Sequence, residues 1–289
     1  MEVIVGKTSG FCFGVKNAVE KTIEQLEKST EKVYCLNELV FNNQVMDSLK
    51  QKGLIVVETV DEAPRDSKLI IRAHGVEPRV YEAARLKNIS IVDLTCPKVD
   101  AIHKTVKKYI KSGYYIFIIG KNGHPETVGT SGFCGEHKTI IESEKDIDSA
   151  IGKFSESNMK KIFITTQTTY GVEESNKIIE EVKKILKNLV EIKVENTICS
   201  TTKIRQDETK KISKEVDYMI IIGGKSSHNT QELYKIAELN CANTVLVQSK
   251  EDLDLERIKR YNKIGVMAGA STSKEIINEV IEAIERGVK

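Results

Sequence analysis

One phrase recurs along this chain: a run of four to six apolar, largely β-branched residues, a short polar turn, then an amphipathic stretch at helical period. It is read in VIVGKTSGFCFGVKNAVEKTIEQL, LIIRAHGVEPRVYEAARLK, SIVDLTCPKVDAIHKTVKKYI and YYIFIIGKNGHPETVG. It returns in KIFITTQTTYGVEESNKIIEEVKKIL, DYMIIIGGKSSHNTQELYKIAEL and KIGVMAGASTSKEIINEVIEAI, with EIKVENTICSTTKIRQDETKKI as a less apolar version. Strands joined through helices pair in parallel, so the phrase commits the chain to an α/β fold with mainly parallel sheets. Pro78, Pro97 and Pro125 each fall just after a strand-end turn. There the missing N–H belongs to a first helical turn and costs nothing. Strands are expected near 3–6, 33–35, 54–57, 69–73 and 91–94, near 115–119, 139–141 and 162–166, and near 192–194, 218–222, 244–247 and 263–267. They group into three small domains, 1–96, 97–194 and 195–289, a single doubly wound sheet being the alternative.

Composition removes several function classes. Lys and Arg number 44 against 42 Asp and Glu, and aromatics are 6% with no Trp. Neither a basic stripe nor a base-stacking surface is indicated, so no nucleic-acid partner is expected. The opening MEVIVGKTSG has no basic n-region ahead of a long apolar stretch, and no apolar run approaches the ~18 residues of a membrane span. The expected compartment is the cytosol. Six cysteines stand at 12, 35, 96, 134, 199 and 241 without a C-x-x-C pair. That spacing argues against a zinc site and a thioredoxin-like motif, and cytosolic thiols stay reduced. The pentapeptide TSGFC occurs twice, ending at Cys12 and at Cys134. The first copy joins a strand to a long helix, whereas the second follows GHPETVG, so the two are read as a chance likeness.

In open α/β sheets ligands bind beyond the carboxyl ends of the strands. Here those turns hold Cys12, His74, Cys96, His124, Glu126, Thr168, Thr169, Cys199, Thr202, Ser226, Ser227, His228, Asn229 and Ser271. Helix starts favour anions by roughly 0.3–1 kcal/mol each when exposed. A pocket for a small phosphorylated ligand is therefore expected. Ser, Thr and Asn also serve as ordinary N-caps, but the run SSHNT exceeds what one cap needs. His124 and Glu126, in GHPE, could relay a proton. His103, inside an amphipathic helix, and His137, in a polar loop, are read as structural. Nucleotide signatures fail: GGKSS would need Gly at Met219 to be a P-loop, and GKTSGFCFG lacks the G-x-G-x-x-G spacing.

The motifs GFCFGV, AHGV, DLTCPKV, GHPE-x-x-G, TQTT, TIC-x-x-T-x-x-RQ, SS-x-N and AGAS follow one another in this order across essentially the whole chain. Together they resemble the 4-hydroxy-3-methylbut-2-enyl diphosphate reductase (IspH/LytB) family. The resemblance implies three α/β domains in pseudo-threefold arrangement around a central [4Fe–4S] cluster. It implies three cysteine ligands, at Cys12, Cys96 and Cys199, with one iron open, and gives Cys35, Cys134 and Cys241 no such role. It implies reductive dehydroxylation of the hydroxymethylbutenyl diphosphate to isopentenyl and dimethylallyl diphosphate, the last step of the methylerythritol phosphate route. Glu126 then matches the proton donor and Thr168 the residue that orients the substrate hydroxyl. His74, His124, Ser227, Asn229 and Ser271 match the diphosphate cradle, and Thr202 a further site threonine. Ferredoxin or flavodoxin would supply electrons to a monomer or weak dimer.

Two positions depart from the family pattern. Phe41 stands where the family carries a diphosphate-binding histidine, with Asn42 kept, and His228 replaces the second serine of Ser-Ser-Asn. The expectation is compensation, His228 supplying the donor that Phe41 cannot. The competing readings are a divergent member with another allylic diphosphate substrate, and a non-catalytic phosphometabolite-binding protein. A zinc hydrolase is disfavoured by the cysteine and histidine spacing.

Overall fold

Strand and helix alternate, with one exception, through the described residues, 1–287, of this computed structural model. In chain order the elements are β1 (Glu2–Val5), α1 (Phe13–Lys28), β2 (Val33–Leu36), α2 (Asn43–Gln51), β3 (Ile55–Val57), β4 (Lys68–Ile71), α3 (Pro78–Leu86) and β5 (Ser90–Asp93). There follow α4 (Pro97–Lys111), β6 (Tyr115–Ile119), α5 (Pro125–Ser131), β7 (Lys138–Ile141), α6 (Ile147–Glu156), β8 (Lys161–Thr166), α7 (Val172–Ile185) and β9 (Glu191–Glu195). The last are α8 (Ser200–Ser213), β10 (Tyr218–Ile222), α9 (His228–Glu238), β11 (Thr244–Val247), α10 (Leu255–Ile258), β12 (Lys263–Ala268) and α11 (Lys274–Gly287). Each strand expected from the sequence is present.

The strands form three four-stranded sheets, ordered β3-β2-β4-β5, β7-β6-β8-β9 and β11-β10-β12-β1, and every pairing is parallel. Sheets covered on both faces need continuous apolar strands. The inner strands β6 and β10 meet this, being buried at all five positions. The edge strand β9, EIKVE, is largely exposed. The residues divide into two compact units, 24–37 with 54–199, and 1–23 with 38–53 and 200–289. The former holds the first two sheets and the latter the third.

The three sheets share one topology. In chain order within each, the second strand lies on one edge, then the first, third and fourth. After each second strand the chain makes a 3-10 turn closed by a capping box: Thr59 with Glu62, Ser143 with Asp146, Ser249 with Asp252. The fourth strand of the third sheet is β1, the first strand of the chain. This corrects the sequence reading, which grouped the opening strand with residues up to 96. Glu2 to Val5 pair in register with Lys263 to Val266, on the edge that β12 would otherwise leave open. Periodicity reports that a segment is a strand but not which edge it joins. The repeats are therefore carried by residues 33–96, 115–199 and 218–287, the last completed by the N-terminus.

This closure is tested by two truncations on opposite faces of β1. Ile4 packs on the cluster of Ile212, Met219, Ile221, Leu233 and Met267, whereas Val5 is exposed. Ile4→Ala should cost about 2 kcal/mol of stability, and Val5→Ala less than about 0.5 kcal/mol, measured by urea unfolding.

Candidate active site

Three of the six cysteines occupy the same place in the three repeats. Cys96 follows β5, Cys199 follows β9 and Cys12 follows β1, each a fourth strand, and each directly precedes a helix: α4, α8 and α1. The backbone repeats in detail. The Cys96 N–H donates to the Ala73 carbonyl at 2.9 Å, that of Cys199 to Thr168 at 3.0 Å, and that of Cys12 to Ala270 at 3.2 Å. Every acceptor lies two residues beyond the end of a third strand, β4, β8 or β12. All three thiols are partly exposed, at helix starts that favour negative charge.

The other cysteines are buried and free. Cys35 lies within β2, and burial pushes its thiol up to about 12. Cys134 and Cys241 follow the helices α5 and α9 and pack into apolar clusters. Burial pushes the Cys134 thiol up to about 12 as well, and its Sγ contacts the Thr130 carbonyl oxygen at 3.4 Å. The second TSGFC is thus a core segment, in a different part of its repeat from the first.

The candidate side chains follow the same rule. His74, Thr168 and Ser271 stand in the turns after third strands. Phe41, His124 with Glu126, and Ser227 with His228 and Asn229 stand in the turns after first strands, at helix starts whose N-caps are Asn42, His124 and Ser227. Thr202 is buried on the first turn of α8.

In the unit of residues 24–37 and 54–199, Glu126 is the central group. Its side chain is buried, and its two oxygens accept from the N–H and the Oγ1 of Thr168, both at 2.6 Å. Burial raises its carboxyl from 4.5 to about 7, against the pull of those two bonds. The Glu126 N–H donates to Nδ1 of His124 at 3.2 Å, which leaves the proton of the neutral ring on Nε2. The rings of His124 and His74 meet edge to face at 5.5 Å. Burial, with Arg72 and His124 alongside, holds His74 well below the usual imidazole range, so it is neutral. His103 is buried within α4 against Phe133, its ring centroid 4.5 Å away, in keeping with a structural role.

In the other unit, Ser227 caps α9 by accepting from the Thr230 N–H at 3.4 Å. Asn229 is 5% exposed and its Nδ2 has no hydrogen-bond partner among the described residues. Ser271 Oγ donates to the Phe41 carbonyl at 3.3 Å, and a Cβ at Gly224 would collide with that same oxygen. Phe41 thus brings its backbone against the β10 and β12 turns. The His228 imidazole is largely buried, with Nε2 3.8 Å from Glu232. Two residues that periodicity missed, Arg205 and Glu208, brace the loop ahead of Cys12 from α8. Their segment, TTKIRQDETKK, reads as solvated because it is polar all round. The spacing of Thr202, Arg205 and Thr209, all buried, is the signal that was available.

A profile of the LytB protein family matches residues 3–285. The chain belongs to the LytB family. It is 39% identical over 285 residues to a 4-hydroxy-3-methylbut-2-enyl diphosphate reductase of Clostridioides difficile, covering 99% of each chain. It is 36% identical over 288 residues to one of Aquifex aeolicus, covering 99% of this chain and 96% of that one. The structure of the corresponding E-1-hydroxy-2-methyl-but-2-enyl-4-diphosphate reductase from Plasmodium falciparum aligns with a TM-score of 0.90 at 30% identity, over 97% of this chain and 87% of that one. A second structure, of the (E)-4-hydroxy-3-methyl-but-2-enyl diphosphate reductase that is the terminal enzyme of the non-mevalonate pathway, aligns with a TM-score of 0.71 at 37% identity, over 99% of this chain and 100% of that one. LytB kinship therefore spans all three sheets.

The raised carboxyl has a sign that can be measured. Glu126 titrates at 4.5 unfolded and about 7 folded, so the folded state retains the proton. The stability this confers is full below pH 4.5 and is lost as pH rises to about 7. Glu126→Gln carries no such loss and should gain about 3 kcal/mol on the parent across that window. Urea unfolding of both proteins from pH 4.5 to 8 reads the difference, and a flat difference would contradict the assignment.

Proposed function

We propose that this chain reduces (E)-4-hydroxy-3-methylbut-2-enyl diphosphate to isopentenyl and dimethylallyl diphosphate at a [4Fe–4S] cluster ligated by Cys12, Cys96 and Cys199. The oxidoreductase assignment rests on full-length similarity to reductases of that name. The observation that carries the ligand assignment is the cysteine N–H bond to the third-strand turn, repeated once per sheet. The donor set fits the group, since the three partly exposed thiols at helix starts are open to a ligand and the three buried ones are not. Among the described residues no three His, Cys, Asp or Glu side chains converge as ligands of a single ion. A cluster asks for something different, because each of its irons takes its own ligand.

Two electrons and two protons convert the allylic alcohol to the alkene product and water. When bound, a cluster with three protein ligands supplies electrons singly and an open iron as a Lewis acid. The protein's part is to hold and move the protons. The Thr168 N–H fixes one Glu126 oxygen as an acceptor, so the carboxyl proton belongs on the other. There it can be donated to Thr168 Oγ1, which frees the threonine hydroxyl to donate to the substrate oxygen. A carboxyl near 7 holds and releases protons at neutral pH, as a general acid requires. We assign diphosphate recognition to His74 and His124 as neutral N–H donors, with Thr202, Ser227, Asn229 and Ser271. The unpartnered Nδ2 of Asn229 supports this, since a buried donor left without an acceptor costs roughly 1–3 kcal/mol. Six cysteines with no disulfide among them accord with a cytosolic enzyme served by ferredoxin or flavodoxin.

Anaerobic reconstitution and assay with the diphosphate substrate and a chemically reduced donor test the assignment. Cys12→Ser, Cys96→Ser and Cys199→Ser should each lose the brown colour and the activity, whereas Cys134→Ala should keep both. Glu126→Gln should retain the cluster and lose turnover by about 10²-fold or more. Full turnover in that variant would remove Glu126 from the proton path.

The histidine exchange has its own measurement. His228→Ser should raise KM for the diphosphate about tenfold, while Phe41→His should lower KM or leave it near the parent value. An unchanged KM in His228→Ser would refute compensation and favour a different allylic diphosphate as substrate.

A further inference from the structure

We infer that Arg205 and Glu208 are positioning residues that hold the Cys12 loop in its ligating conformation. The inference rests on the proposed role of Cys12 as a cluster ligand. Arg205 is a fully buried cation, 2% exposed, whose guanidinium donates to the Thr8 carbonyl through Nε at 2.9 Å and Nη2 at 2.6 Å, and to the Gly10 carbonyl at 2.7 Å. Glu208, one helical turn further along α8, accepts from the Lys7 N–H at 2.8 Å, the Thr8 N–H at 2.9 Å and the Thr8 hydroxyl at 2.5 Å. Carbonyls of the loop therefore face the cation and N–H groups face the anion. Two charges spaced three residues apart on one helix fix successive peptide planes with opposite polarity.

The opposite side of the loop is held by the β12 turn. Ser9 Oγ accepts from the Ala268 N–H at 3.1 Å, and the Cys12 N–H donates to Ala270 at 3.2 Å. Gly10 has φ +101, a conformation L side chains rarely adopt, with Ile277 and Thr272 close by. Lys7 to Gly10 is thus gripped from two sides just before the thiol. A surface loop needs no buried guanidinium to stay folded, and a buried charge is costly unless its bonds are specific. What the arrangement fixes is the direction in which residue 12 leaves the loop. In the chain, α8 also opens directly after Cys199, so one helix follows one proposed ligand and braces the approach to another.

The test uses the full chain in two states. In anaerobic, cluster-free protein, iodoacetamide alkylation of each cysteine is followed by mass spectrometry. Arg205→Gln and Glu208→Gln should change the Cys12 rate about tenfold and leave Cys96 and Cys199 within twofold. In reconstituted protein, iron loss to a ferrous chelator should be about tenfold faster in both variants, with Arg205→Lys partly restoring the parent rate. Unchanged Cys12 alkylation, or an equal change at all three cysteines, would overturn the positioning role. Glu208→Gln, which removes only a charge, decides the matter if Arg205→Gln fails to fold. Cys12→Ser separates the two levels. A cluster retained in that variant refutes the ligand assignment itself, whereas a cluster lost there but stable in Arg205→Gln and Glu208→Gln refutes only the brace.

Discussion

The constraint on which the rest depends is one hydrogen bond made three times. A fourth parallel strand ends, the chain turns into a helix, and the residue at the turn donates its N–H to the carbonyl two positions past the neighbouring third strand. That bond extends the sheet ladder beyond its last paired residues and fixes where the next helix begins. In each repeat the residue so placed is a cysteine. A thiol there is close enough to the surface to meet a ligand. Side-chain identity around the three differs, TSGFC, LTCP and TICS, while the backbone bond is the same.

A second consequence concerns Glu126. Its carboxyl occupies the turn after a first strand, and Thr168 the turn after the adjacent third strand, so β6 and β8 bring them together as neighbours in one sheet. The same adjacency places the turn after β10, with Ser227 and Asn229, beside the turn after β12, with Ser271. Thr168 serves both systems. Its N–H and hydroxyl bind Glu126, and its carbonyl binds the Cys199 N–H. The residue proposed to orient the substrate is therefore coupled by backbone to a proposed cluster ligand.

Much of this was legible in the sequence, and the parts that were not share a physical cause. Strand positions followed from apolar runs, since two-sided burial leaves little freedom of composition in strands such as YIFII and YMIII. Helix starts followed from Pro78, Pro97 and Pro125. The pairing of β1 with β12 was not legible, because the register partner lies some 260 residues away and EVIV fits any parallel edge. Arg205 and Glu208 were missed for another reason. Apolar periodicity finds faces that bury hydrocarbon, and α8 buries Thr202, Arg205, Gln206 and Thr209 instead. A polar buried face satisfies itself through hydrogen bonds to distant backbone, which no local pattern records. The family motif TIC-x-x-T-x-x-RQ carried Arg205 all along, without saying what it touched.

The turns that carry no candidate residue are as informative as those that do. After each second strand the chain closes on itself. A Thr or Ser caps a single 3-10 turn, and the acidic residue three positions on accepts from the N–H of the cap. The N–H groups that open each turn are bonded locally: Glu62 takes those of Glu58 and Thr59, Asp146 those of Glu142 and Ser143, and Asp252 those of Gln248 and Ser249. Those N–H groups are no longer open to a ligand. The turns after first, third and fourth strands lead directly into α-helices, whose first N–H groups have no acceptor within the helix. Each second strand thus ends in a self-contained cap, and the candidate residues stand after the other three.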